Sequence, residues 1–162
     1  MALDRRDFAV LILGAATGLG GGGTAATAAP HGFRVRAIAV NTTALREQSG
    51  HPTAGWVQQA LPRQLARAFA TLMARGDRAG ATLSVRIDSV SLGSIAAGRA
   101  ATDIMKGSAT LSAGTGASYH TSLRAASTYI PAAGDRPLSA LQGRVTTLSH
   151  AFAGSLAGKW AT

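Results

Sequence analysis

Apolar and polar positions alternate from Phe33 to Asn41 (FRVRAIAVN), with Arg34 and Arg36 on one side and Phe33, Val35, Ala37 and Ala39 on the other. That period of two predicts a strand. Thr42 to Gly50 is polar and predicts a loop. Between Thr53 and Arg75 the pattern changes: Val57, Leu61, Leu65, Phe69 and Leu72 recur every three or four residues, flanked by Trp56 and Ala68. This is the stripe of an amphipathic helix, with Thr53 placed to cap it. Pro62 falls inside the stripe and cannot donate to the carbonyl of Gln58, so a kink or break is expected there. Period two returns in Ala81 to Leu92, where Leu83, Val85 and Ile87 share a face opposite Thr82, Ser84, Arg86 and Asp88. After Ser89 the phase slips to Val90 and Leu92, which predicts a bulge or bend. Thr102–Ser112 predicts a third strand with Met105, Gly107, Ala109 and Leu111 on one face. Gly114-Thr115-Gly116 is a turn, and Ser118–Ile130 is a fourth strand with Tyr119, Thr121, Leu123 and Ala125 inward. From Asp135 to Trp160 a second long stripe runs through Leu138, Leu141, Val145, Leu148, Phe152, Leu156 and Trp160. Pro137 suits its first turn, and Asp135 suits the positive end of its dipole.

The order is strand, helix, three strands, helix. Short turns between the later strands predict an antiparallel meander, and two striped helices must cover one face of it. The expected fold is therefore an α+β two-layer sandwich, β-α-β-β-β-α, with a four-stranded, mostly antiparallel sheet and both helices on one face. The other face is left polar.

The first thirty residues obey a different logic. Arg5 and Arg6 precede twelve apolar residues, Phe8 to Leu19, followed by the glycine run Gly20–Gly23, small residues and Pro30. This is the layout of a cleavable secretory signal, with an Ala-x-Ala site at Ala26-Thr27-Ala28. Arg5-Arg6-Asp7-Phe8 resembles the twin-arginine export signal, although Asp4 stands where Ser or Thr is usual. The division expected is a signal over 1–28 and one periplasmic domain over 29–162. Twelve apolar residues are too few to span a bilayer, which takes about 20. The same region holds Gly18-x-Gly20-x-x-Gly23 after an apolar run, as a dinucleotide-binding turn would. That alternative, a cytoplasmic nucleotide-binding protein, needs a helix to follow and an acidic residue about 20 positions on. Instead Pro30 interrupts the small residues, and the later stretch reads Ile38-Ala39-Val40-Asn41.

Composition narrows the function. The chain has 162 residues, a formal charge of +9 and no cysteine. Thiol catalysis, disulfides, cysteine-bound metals and a lipid anchor on cysteine are excluded. Arginine outnumbers lysine, which occurs only at Lys106 and Lys159, a bias common in GC-rich bacterial genomes; the pI near 11.6 thus overstates the functional weight of the charge. Removing residues 1–28 takes away Arg5, Arg6, Asp4 and Asp7 and leaves the charge at +9.

The βαβββα order in an exported chain resembles small envelope accessory proteins of Gram-negative bacteria: the lipopolysaccharide-assembly lipoprotein (LptE-like) family and the auxiliary lipoproteins of lipid-transport ABC systems. The stretches that carry the resemblance are Trp56-Val57-Gln58-Gln59-Ala60-Leu61, Leu83-Ser84-Val85-Arg86-Ile87-Asp88, Ser118–Ile130 and the closing helix to Trp160. The resemblance implies a non-enzymatic role in holding or assembling an envelope complex. Both families carry a lipidated cysteine after the signal, which this chain lacks.

No catalytic constellation emerges. Glu47, Asp77, Asp88, Asp103 and Asp135 are few and are read mainly as solvated loop or helix-end groups. His31, His51, His120 and His150 lack metal-ligand spacing. Gly154-Ser155-Leu156-Ala157-Gly158 lacks nucleophile-elbow spacing, and Ser149-His150 would diverge on a helix. Arg75-Gly76-Asp77 is read as a helix stop. No cofactor is expected. One constellation remains: Arg34, Arg36, Arg86, Lys106 and Arg124 would share the open sheet face, partly neutralised by a pair such as Arg124 with Asp88. Such a face would attract lipid headgroups, lipopolysaccharide or an acidic protein surface. Nucleic acid is not expected, because few aromatics are available for stacking. The expected function is a soluble periplasmic accessory protein, met by the export machinery and by an envelope protein or anionic lipid. Capture would use the open face or the groove beside Trp56 and Pro62. A periplasmic small-ligand carrier, with a pocket between helices and sheet, is the alternative.

Overall fold

The computed structural model describes residues 32–49, 51–94, 100–114, 116–131 and 137–160. The export-signal residues Arg5, Arg6 and Phe8, the cleavage residues Ala26 and Ala28, and the glycine fingerprint all lie outside them, as do His31 and Asp135. The elements are β1 (Val35–Asn41), α1 (Thr43–Ser49), α2 (His51–Ala68), a 3-10 turn (Ala70–Leu72), β2 (Ala81–Ser91), β3 (Ala101–Ser112), β4 (Ser118–Tyr129) and α3 (Pro137–Trp160). The strands form one sheet in the order β1-β2-β3-β4. β2, β3 and β4 are an antiparallel meander, while β1 lies parallel to β2. A parallel neighbour needs a crossover, and α1 with α2 supplies it. The α+β sandwich is thus as expected, with one helix more.

That helix is α1, which replaces the expected loop at 43–49. Thr42 starts it, its carbonyl accepting from the Arg46 amide at 2.9 Å, and the Asn41 Oδ1 accepts from the Thr43 amide at 2.9 Å. Only Leu45 is buried in it, so no period was available to reveal it. The next helix begins at His51, which puts Thr53 inside its first turn and not at the cap. It runs unbroken through Pro62. Val57, Leu61, Leu65 and Phe69 are fully buried on both sides of the proline. Their packing outweighs the one hydrogen bond the proline removes. Arg75-Gly76-Asp77 is a turn beyond the helix, with Gly76 at φ 96°. Just before it, Val35 bridges to Met73 and accepts from the Ala74 amide at 2.9 Å.

The phase of β1 departs from the expectation. Its register slips between Val35 and Ala37, after which Ile38 pairs with Leu83 and Val40 with Val85. Ala37, Ala39 and Asn41 therefore share the open face with Thr82, Ser84 and Arg86, and Ile38 and Val40 turn inward. The stretch is apolar at both parities, and the larger side chains win the interior. The anticipated irregularity in β2 falls one residue earlier than read, between Ile87 and Ser89. Asp88 is the extra residue. Gly107 faces this bulge, and a Cβ there would lie 2.4 Å from the Arg86 carbonyl oxygen, so only glycine fits.

The core between sheet and helices holds Leu45, Phe69, Leu83, Ile87, Met105, Leu111, Leu148 and Phe152, all fully buried. The α3 stripe enters it from Val145 onward, whereas Leu138 is 71% exposed. Two charges are also buried. Asp103, read above with the solvated acids, is 1% exposed as a side chain, and Arg144 of α3 is 2% exposed. The Arg144 Nε donates to Asp103 Oδ2 at 3.0 Å, and its Nη2 bonds Asp103 Oδ1 and, at 2.6 Å, the Gly93 carbonyl. Asp103 Oδ1 also accepts from the Gly93 amide at 3.0 Å, and the guanidinium lies 5.0 Å from the Tyr129 ring centroid. One ion pair thus joins β3, α3 and the segment after β2.

Candidate functional site: the open sheet face

α1, α2 and α3 share one side of the sheet, so alternation along each strand sends every second side chain to an uncovered surface. Ladder pairing arranges that surface in rows. Asn41, Arg86, Ser108 and Ser122 form one; Ala39, Ser84, Thr110 and His120 form another. Beside the first lies a third, in which Ser89 pairs with Lys106 and Lys106 pairs directly with Arg124. Hydroxyls dominate, and the cations are concentrated where the bulge interrupts β2.

The five basic residues read as one patch divide into two groups. Arg86, Lys106 and Arg124 occupy adjacent rows across β2, β3 and β4. Arg36 lies two rows from Arg86, on the order of 13 Å along the strands, and is held down. Its Nε donates to Thr82 Oγ1 at 3.2 Å and its Nη1 to the Arg78 carbonyl at 3.4 Å. Arg34 is exposed just before β1. The expected Arg124–Asp88 pair does not form, because β3 stands between their strands. Asp88 instead meets Arg86 on its own strand, Nε to Oδ1 at 3.0 Å, with both side chains about half exposed or more. Among the described residues neither Lys106 nor Arg124 meets a carboxylate. They stand opposite each other with Cβ atoms on the order of 5 Å apart.

Arg86 borders two shallow depressions. One, about 370 Å³, lies on the open face between Asn41, Ser84, Ser108 and Thr110; the other, about 260 Å³, reaches under α1 to Thr43 and Glu47. Asn41 is the site residue the sequence reading missed. Its parity places it inward in an unbroken β1, and only the slip at Arg36 brings it out. Of the remaining polar groups, Thr110 Oγ1 and His120 Nδ1 are 3.2 Å apart on the open face. Ser149 donates to its own helix at the Val145 carbonyl, and His150 turns outward to Gln64 Oε1 at 3.3 Å. The two neighbours diverge as expected. On the opposite layer, the groove beside Trp56 lies between α2 and α3 and is bordered by Arg63 and Arg67, and not by Pro62.

No protein-family model matches this chain, and no curated protein matches it. Solved structures do. A Xanthomonas campestris protein of family DUF330 is 10% identical, with 78% of this chain and 82% of that one covered and a TM-score of 0.50. A Caulobacter crescentus protein taken to be a lipoprotein is 17% identical, with 73% and 84% covered and a TM-score of 0.46. The rare lipoprotein B of Shewanella oneidensis is 10% identical, with 75% and 94% covered and a TM-score of 0.37. At 10% identity and a TM-score of 0.50, the likeness to the Xanthomonas protein is one of fold alone. Among the described residues no helix is long and apolar enough to cross a membrane.

Proposed function

We propose that this is an exported, non-catalytic accessory protein of the cell envelope that holds an anionic partner on its open sheet face. The observation that carries the proposal is the directly opposed pair Lys106–Arg124, set beside Arg86 among serine and threonine hydroxyls. Like charges placed opposite each other cost stability, and an anion bound between them converts that cost into affinity. The groups on the face are hydrogen-bond donors suited to clustered phosphate or carboxylate oxygens. The face is open and shallow, which suits a headgroup array or an acidic protein surface better than an enclosed small molecule. The signal-like layout of residues 1–28 supports the periplasmic assignment.

Vesicle sedimentation tests the binding reading, with the chain from Ala29 onward, which keeps every described residue. Phosphatidylglycerol vesicles should retain it and phosphatidylcholine vesicles should not. Each basic residue near an anionic surface contributes about 1 kcal/mol, so Arg86→Glu with Arg124→Glu should cost at least about tenfold in affinity. Rising salt should weaken the wild type in the same direction. Equal retention of the variant sinks the proposal. The export reading is checked separately by the intact mass of the native protein: a chain starting at Ala29 in the periplasmic fraction is expected, and a full-length cytosolic mass contradicts it.

A further inference from the structure

The helix layer carries a second constellation. Neither α2 nor α3 contains an aspartate or glutamate. Next to the buried stripe of α2, Trp56, Gln59, Ala60, Arg63, Gln64 and Arg67 recur at helical spacing, and all of them border one groove of about 240 Å³. α3 completes the wall with Gln142 and Thr146. Arg63 and Arg67 are exposed, one turn apart on one face, and among the described residues neither meets a carboxylate. The Gln64 Oε1 is occupied by His150 at 3.3 Å, whereas the side-chain amides of Gln59 and Gln142 point to no partner among the described residues. Trp56 is half-buried, so part of its ring borders the groove.

We infer that this groove binds one residue of an acidic saccharide, a sugar carrying a carboxylate or phosphate. Two guanidiniums without local counter-charge select an anion. Glutamine amides, which both donate and accept, match ring hydroxyls. The indole supplies an apolar face with a polar edge, which suits the C–H face of a sugar ring. The groove is smaller than the roughly 300–1,000 Å³ of drug-sized sites, so it holds a single ring while the rest of the chain extends into solvent. A polar lining of this kind does not suit an acyl chain. The site is on the opposite layer from the open sheet face and does not depend on the function proposed for that face.

The test uses the full chain, labelled with ¹⁵N, and a glucuronate-containing tetrasaccharide. Two indole signals report: Trp56 at the groove and Trp160, which is buried at the far end of α3. Titration should shift the Trp56 indole and leave Trp160 in place. Arg63→Gln with Arg67→Gln keeps helix propensity and should weaken binding at least about tenfold. Arg86→Glu with Arg124→Glu should bind as the wild type does, which separates failure here from failure of the sheet-face reading. Equal binding of a neutral maltotetraose would overturn the inference, because the arginines would then select nothing. So would an equal Trp56 shift with inorganic phosphate alone, which would mean a simple anion site. Tighter binding of a polyglutamate peptide would reassign the groove to an acidic protein partner.

Discussion

The buried Asp103–Arg144 pair offers the sharpest test of the packing argument. Removing one partner of a buried ion pair strands the other charge and typically costs about 3–5 kcal/mol. Here the losses compound. Asp103→Leu leaves the guanidinium with only the Gly93 carbonyl and the Tyr129 ring, and Arg144→Met leaves the carboxylate with only the Gly93 amide. Each single variant should therefore fall near the upper half of that range, a large share of the roughly 5–15 kcal/mol by which domains are stable. The double variant, Asp103→Leu with Arg144→Met, strands no charge. Beyond the pair itself it loses the two bonds to the Gly93 backbone, about 1–3 kcal/mol, and the guanidinium contact with the Tyr129 ring, and it gains apolar contacts. Urea unfolding followed by circular dichroism reads all three against the wild type, with an unchanged slope marking an intact transition. The expectation is that the double variant is more stable than either single. Additive losses would refute it, since they would mean that the two charges do not depend on each other. So would single losses below about 1 kcal/mol, the scale of an exposed pair.

Glycine substitutions on the two layers should move in opposite directions. Gly107→Ala places a methyl 2.4 Å from the Arg86 carbonyl and should cost about 1–3 kcal/mol, whereas Gly143→Ala meets nothing within 4 Å on α3 and should gain about 0.8–1 kcal/mol; thermal melts that move both in one direction would contradict the bulge geometry. Arg124→Glu alone should stabilise the domain by about 0.2–1 kcal/mol, because it replaces a like-charge pair with Lys106 by an opposite one, while weakening vesicle binding; a variant that loses stability would show that the two side chains do not face each other.

The sheet was legible because β3 and β4 alternate throughout, β2 alternates up to its bulge at Asp88, and Gly116, at φ 83°, marks the hairpin between β3 and β4. α2 was legible from Val57, Leu61, Leu65 and Phe69, whose regular recurrence survived even a proline. α1 was not, since seven residues with one buried leucine carry no period. The phase of β1 failed for the opposite reason: apolar residues at both parities allow two registers, and only packing against Leu83 and Val85 chooses. Asp103 and Arg144 are a third kind of case. Asp103 has the parity of Met105, and Arg144 lies within the stripe of Leu141, Val145 and Leu148, so each position signals burial. Type alone argues for the surface, and a sequence separation of 41 hides the pairing that reconciles the two.

The same reasoning explains why Arg86, Lys106 and Arg124 share a face as read, whereas Arg34 and Arg36 stand apart and the expected charge pairing is absent. Parity placed Arg86, Lys106 and Arg124 on one face, because Arg86 precedes the bulge in β2 and β3 pairs with β4 without a register shift. Neutralisation depends on which strands adjoin, and with β3 between β2 and β4 the carboxylate of Asp88 reaches Arg86 and not Arg124. The described carboxylates thus serve specific tasks. Asp103 locks the interior, Asp88 holds Arg86, and Asp77 accepts from the Ala79 amide at 2.9 Å to close a turn. Glu47 is exposed on α1 at the rim of the depression beside Arg86. None opposes Lys106 and Arg124, and none stands on α2 or α3. Positive charge is therefore left uncompensated on two opposite surfaces, where it disfavours the compact state through self-repulsion. Its position, across a flat row on the sheet and along a groove on the helices, is why the two proposed anion sites can be tested independently of each other.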